Sequence, residues 1–116
     1  MPTATRKTTI VFSGAVDGTQ ELEAGINTSS PAVVELKTLS SGANTITVPT
    51  AGMVPTAVTI VPPTDNETSI TLKGVTGDTG VRLHDTDPTT IALNSAVASF
   101  CLTAGASITG VRLYWS

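Results

Sequence analysis

Apolar residues along this chain recur with a period of two, in short runs bounded by Gly, Pro, Asn and Asp. Successive side chains of a strand point to opposite faces, so this spacing builds half-buried strands and does not line one side of a helix. No window carries a convincing apolar stripe at 3.6-residue spacing, and good helix formers are sparse. Threonine makes up roughly a fifth of the chain, and its β-branched side chain suits a pleated, half-buried surface.

The alternation predicts about ten strands. Thr8 to Ser13 sets Ile10 and Phe12 on one face. Glu21 to Ile26 turns Leu22, Ala24 and Ile26 inward, with Glu21 and Glu23 outward. In Val33 to Leu39, Val34 and Leu36 are expected in the core, with Glu35 and Lys37 in solvent. Asn44 to Val48 buries Ile46 and Val48; Ala57 to Val61 buries Val58 and Ile60; Thr68 to Lys73 buries Ile70 and Leu72. Val81 to Leu83 and Ile91 to Leu93 are short, and Ser99 to Thr103 places Phe100 beside Leu102. Ile108 to Trp115 aligns Val111, Leu113 and Trp115, with Arg112 and Tyr114 opposite.

Turn clusters separate these runs, among them Ser40-Ser41-Gly42, Pro62-Pro63-Thr64-Asp65-Asn66, Gly77-Asp78-Thr79-Gly80 and Asp85-Thr86-Asp87-Pro88. Strands at spacings of about 8–12 residues with turn signals between them point to a β-sandwich or barrel. The expected fold is a single-domain antiparallel β-sandwich, jelly-roll-like, over residues 8–116, with residues 1–7 as a flexible N-terminal arm. A chain of 116 residues suits one such domain and buries a core without staples. Cys101, the single cysteine, excludes an intrachain disulfide and reads as a small buried hydrophobe.

Charge narrows the function classes. The formal net charge is −3, and the six Lys and Arg residues are scattered rather than gathered in a basic patch. A nucleic-acid partner is therefore not expected. No apolar run reaches the length of a membrane span or a signal peptide, so the chain reads as made in a host cytoplasm and not membrane-bound. Only 13% of residues are charged, about half the usual share. A surface of Thr, Ser, Ala and Gly has little charge repulsion to keep it from other protein surfaces.

Three constellations resemble catalytic or metal sites; two read better as turn chemistry and the third as a buried strand residue. Asp78-Thr79-Gly80 matches the loop that carries the catalytic carboxylate of aspartic proteases, but no apolar strand precedes it and too little chain follows it. Asp caps turns and Gly takes positive φ, so the tripeptide is an ordinary turn. His84 with Asp85 and Asp87 offers a thin ligand set, better suited to calcium than to zinc because its donors are mostly oxygens. Cys101 paired with His84 would need an exposed thiol, yet Cys101 is flanked by Phe100 and Leu102. No catalytic residue, cofactor or metal is assigned, and an enzyme is not expected.

One internal echo remains. Thr79-Gly80-Val81-Arg82-Leu83 recurs as Thr109-Gly110-Val111-Arg112-Leu113. It reads either as two strands with similar entries or as a pseudo-symmetric pair, Arg82 and Arg112, meeting acidic groups on a neighbouring subunit.

The stretch Ile70 to Leu83, the Pro-containing turn after it and the terminal strand Gly110 to Trp115 resemble the small Thr- and Gly-rich virion structural proteins of tailed bacteriophages. The resemblance covers about the C-terminal half. It implies a non-enzymatic virion subunit, foremost a capsid decoration (cement) protein that self-associates and docks on a repeating lattice. Neck, tail or fibre accessory proteins are alternatives, as is a carbohydrate- or cell-surface-binding β-sandwich module. The implied partners are a second copy of the chain and other virion proteins such as a major capsid or tail protein. Candidate interface residues are Arg82, Arg112, Tyr114 and Trp115, since aromatics and Arg dominate interface hot spots.

Overall fold

A computed structural model of the chain describes residues 4–6, 9–15, 18–23, 27–29, 33–52, 54–94 and 96–116. Every regular element among these residues is a strand. They are β1 (Ala4–Arg6), β2 (Thr9–Ala15), β3 (Gly18–Glu23), β4 (Asn27–Ser29), β5 (Val33–Leu39), β6 (Gly42–Thr47), β7 (Ala57–Val61), β8 (Ile70–Lys73), β9 (Val81–Arg82), β10 (Thr89–Ala92), β11 (Ser99–Ala104) and β12 (Ile108–Trp115).

Strands β5 to β12 build two four-stranded sheets, in the orders β10-β7-β12-β5 and β6-β11-β8-β9, with every pairing antiparallel. The first strand of this set lies beside the last. The chain changes sheet at every connection except β8 to β9. That order is the eight-stranded jelly roll, two Greek keys folded into a sandwich, as the alternating pattern predicts.

The N-terminal strands pair separately, β1 with β4 and β2 with β3, and among the described residues no ladder joins them to either larger sheet. Of the stretch expected as an arm, Ala4–Arg6 is the strand that pairs with Asn27–Ser29. Met1 to Thr3 and Lys7 lie outside the described residues. The strand expected at Glu21–Ile26 is seen as Gly18–Glu23, and its last three residues also lie outside them.

The inward faces interlock as one core. Leu39, Ile46, Ile60, Ile70, Leu102, Leu113 and Trp115 are each almost completely buried. Phe100 of β11 meets Trp115 of β12 across the gap, with ring centroids 6.0 Å apart and a 52° tilt. Tilted aromatic pairs at this distance add to the plain burial of their area.

In β12, Ile108 and Val111 are both buried although an odd number of steps separates them. A β-bulge between Thr109 and Val111 absorbs the extra residue, and Gly110 takes φ +91° there. A bulge residue of this type sits in left-handed space, which glycine enters freely.

One expected facing is overturned. Val34 and Leu36 are 59% and 71% exposed, while Glu35 and Lys37 are half-buried on the core side of β5. The reason is the register with β12. Glu35 lies opposite Leu113 and Lys37 opposite Val111, while Val33 lies opposite Trp115. Residues directly opposite share a sheet face, and β12 commits Val111, Leu113 and Trp115 to the core. The large aromatic strand sets the parity, and the edge strand follows it.

The same edge carries a polar corner. Asn44 accepts a hydrogen bond from Ser40 N at 2.9 Å, and its Nδ2 donates to Ser40 O, Gly42 O and Leu102 O at 2.9, 3.0 and 3.1 Å. One side chain thereby closes the turn from β5 to β6 and satisfies a carbonyl of β11.

Candidate functional site

Apart from one apolar cleft, the described inward faces are packed against each other, so the remaining surfaces are the outward faces and the sheet edges. The outward face of the β10-β7-β12-β5 sheet holds two rows of side chains. In one, Leu36 lies opposite Arg112, which lies opposite Val61. In the other, Val34 lies opposite Tyr114, then Thr59, then Thr90, with the two threonine hydroxyls 2.8 Å apart. The β5 end of this face is apolar and open; the β10 end is hydroxyl-rich.

Two of the sequence-predicted interface residues, Arg112 and Tyr114, fall within this face. Arg112 is exposed and also borders a surface depression of about 270 Å³ that includes Asp65, Pro63 and Thr109. Tyr114 is half-buried and lies between Val34 and Thr59 in its row. The other two lie elsewhere. Trp115 points into the core and is 0% exposed, so it does not reach a partner surface. Arg82 sits on β9 of the opposite sheet and forms an ion pair with Asp85 at 3.1 Å. The echoed sequences around Arg82 and Arg112 therefore occupy different sheets and do not form one patch.

Val34 and Leu36 belong to the same face, and sequence reasoning placed them in the core. Their strand carries apolar residues on both faces, so its own pattern does not locate them. Glu35 and Lys37 lie next to each other on one side, with Nζ and Oε2 3.4 Å apart. A neutralised pair at a sheet edge tolerates half-burial, which lets Val34 and Leu36 face outward.

The catalytic look-alikes resolve into turns. Asp78 Oδ2 accepts the Val75 N–H at 3.0 Å, and Asp78 N–H donates to Val75 O at 3.1 Å. The carboxylate is thus the internal brace of the β8–β9 turn. Gly80 follows with φ +81° and lies so close to β8 that a Cβ would fall 2.5 Å from Leu72 O. His84 Nδ1 accepts the backbone N–H groups of Thr86 and Asp87 at 3.1 and 2.9 Å, so this nitrogen braces the turn. Asp85 is engaged by Arg82. Among the described residues no three potential His, Cys, Asp or Glu ligands gather as a metal group. Cys101 is buried, its Sγ 3.8 Å from Thr103 Oγ1.

An apolar cleft of about 220 Å³ opens between the sheets near β10 and β8, walled by Val58, Leu72, Ile91, Leu93 and Phe100. Lys73 and Ser99 are the polar side chains along it. Binding pockets place several polar groups to orient a ligand, and this wall supplies few.

Comparison of the chain with protein-family models, with curated proteins and with solved structures found no match.

Proposed function

We infer that this chain is a non-enzymatic structural subunit of a bacteriophage virion, foremost a capsid decoration protein that docks on a repeating lattice through its outward β5–β12 face. The observation that carries the reading is the exposed pair Val34 and Leu36 beside Arg112 and Tyr114. The sheet spends two sizeable apolar side chains on solvent, next to an aromatic and an arginine. Apolar anchors with Tyr and Arg are the composition of interface centres.

Two further features support it. The jelly roll recurs in viral capsid and lectin domains, an analogy of fold rather than of site. The sparse charge leaves the surface with little to oppose close contact. The carbohydrate-binding alternative asks for exposed aromatic platforms, and Trp115 is in the core.

The test is quantitative mass spectrometry of gradient-purified particles from infected host lysates, with the wild-type chain and with Tyr114→Asp. Stoichiometric copies of the wild type, lost in the variant, are expected. A chain absent from the particles overturns the reading.

A further inference from the structure

We propose that two copies of this chain pair antiparallel through the edge of β5 that faces away from β12, joining their sheets into one eight-stranded sheet. The inference rests on the assembly reading only in naming its first contact.

Strand β5 ends the β10-β7-β12-β5 sheet, and among the described residues no strand pairs with its outer side. An open edge presents a row of backbone N–H and C=O groups that a second strand can satisfy. What selects the partner is the charge pattern. In a two-fold pairing centred on Leu36, Glu35 lies opposite Lys37 of the second copy and Lys37 opposite its Glu35. Leu36 then meets Leu36, Val34 meets Thr38, and Val33 meets Leu39. Leu36 is the midpoint of Val33–Leu39, so this register engages the whole strand.

Neighbouring registers fail. A shift that keeps the same faces together sets Glu35 against Glu35 or Lys37 against Lys37, and like charges directly opposite destabilise a sheet. A shift of one residue sets the apolar row of one copy against the charged row of the other. Inward-pointing charges usually protect an edge from pairing. An edge of one sign would repel its own copy; this one carries both signs two residues apart, and in one register it attracts itself. The pairing also covers Leu36, which is 71% exposed in the single chain.

The test is sedimentation equilibrium of the full chain from about 1 μM to 1 mM, concentrations that span typical weak-to-moderate dimers. Wild type should form a dimer. Glu35→Lys and Lys37→Glu should each weaken it by about tenfold or more, because two facing pairs turn from attractive to repulsive. The double variant, with the charges exchanged, should restore it, and an equimolar mixture of the two single variants should form the mixed dimer. Circular dichroism checks that each variant is folded, and recovery in the mixture gives the same assurance. A wild type that stays monomeric overturns the pairing, as does a dimer indifferent to the single reversals. A dimer that forms by capturing another protein's strand in place of its own copy overturns it too. A monomer found in virions would sink this pairing and leave the assembly reading intact. A charge-specific dimer absent from virions would do the reverse.

Discussion

Replacing Gly80 with alanine separates two costs that the Asp78-Thr79-Gly80 turn combines. Gly80 holds φ +81°, where a side chain costs about 1–2 kcal/mol. Its Cβ would also lie 2.5 Å from Leu72 O, 2.7 Å from Lys73 Cγ and 2.8 Å from Thr71 Cγ2. The first of these is backbone of β8 and cannot swing aside, so the turn or the strand must move. Overpacking of this kind costs about 1–3 kcal/mol. The sum is roughly 2–5 kcal/mol, or a urea midpoint lowered by roughly 1–3 M. Two controls divide it. Gly110 has φ +91° but only Pro63 Cγ at 3.9 Å near its would-be Cβ, so Gly110→Ala should cost about 1–2 kcal/mol. Gly77 has neither a positive φ nor any atom within 4 Å, so Gly77→Ala should be neutral or stabilise by up to about 1 kcal/mol. Urea unfolding followed by the fluorescence of Trp115, the single tryptophan, reads all three. If Gly80→Ala is no more destabilising than Gly110→Ala, the close approach of the turn to β8 is wrong.

Three other outcomes follow from the packing. Leu113→Ala removes a fully buried side chain from the middle of β12 and should cost about 2–5 kcal/mol by chemical denaturation, whereas Leu36→Ser, measured in dilute solution, should stay within about 0.5 kcal/mol. Equal losses at the two positions would contradict the inverted facing of β5. Asn44→Ala strips the Leu102 carbonyl of its side-chain donor and opens the β5–β6 turn, for a loss of about 1–3 kcal/mol in the same assay. Cys101 in the folded protein should react with a thiol reagent at least about a hundredfold more slowly than in denaturant, because the thiol is buried; rapid labelling of the native chain would contradict its placement.

Much of the sandwich is legible in the alternation alone. Strands β7, β8 and β11, and β12 from Val111 onward, bury Val58 and Ile60, Ile70, Phe100 and Leu102, and Val111, Leu113 and Trp115 where period two puts them, while the bulge at Gly110 breaks the alternation after Ile108. Asp78 and His84 are likewise readable as turn residues, because their hydrogen bonds reach only two or three positions along the chain. Arg112 and Tyr114 are legible as outward residues because they alternate with Trp115. Two things are not. Arg82 and Arg112 share a local sequence yet lie on opposite sheets, since topology and not similarity decides which strands meet. The facing of β5 also escapes, because Val33, Val34, Leu36 and Leu39 fit either parity.

By itself, then, the sequence determined an all-β chain, the approximate positions of strands β5 to β12 and the turn roles of Asp78 and His84. All of these follow from neighbours a few residues apart. Only the tertiary structure decided which side of β5 faces water. A strand's two faces are equivalent until a partner is chosen, and here the partner is β12, with Trp115, Leu113 and Val111 already committed to the core. That one choice turns Val34 and Leu36 outward and sets Glu35 and Lys37 along an open edge.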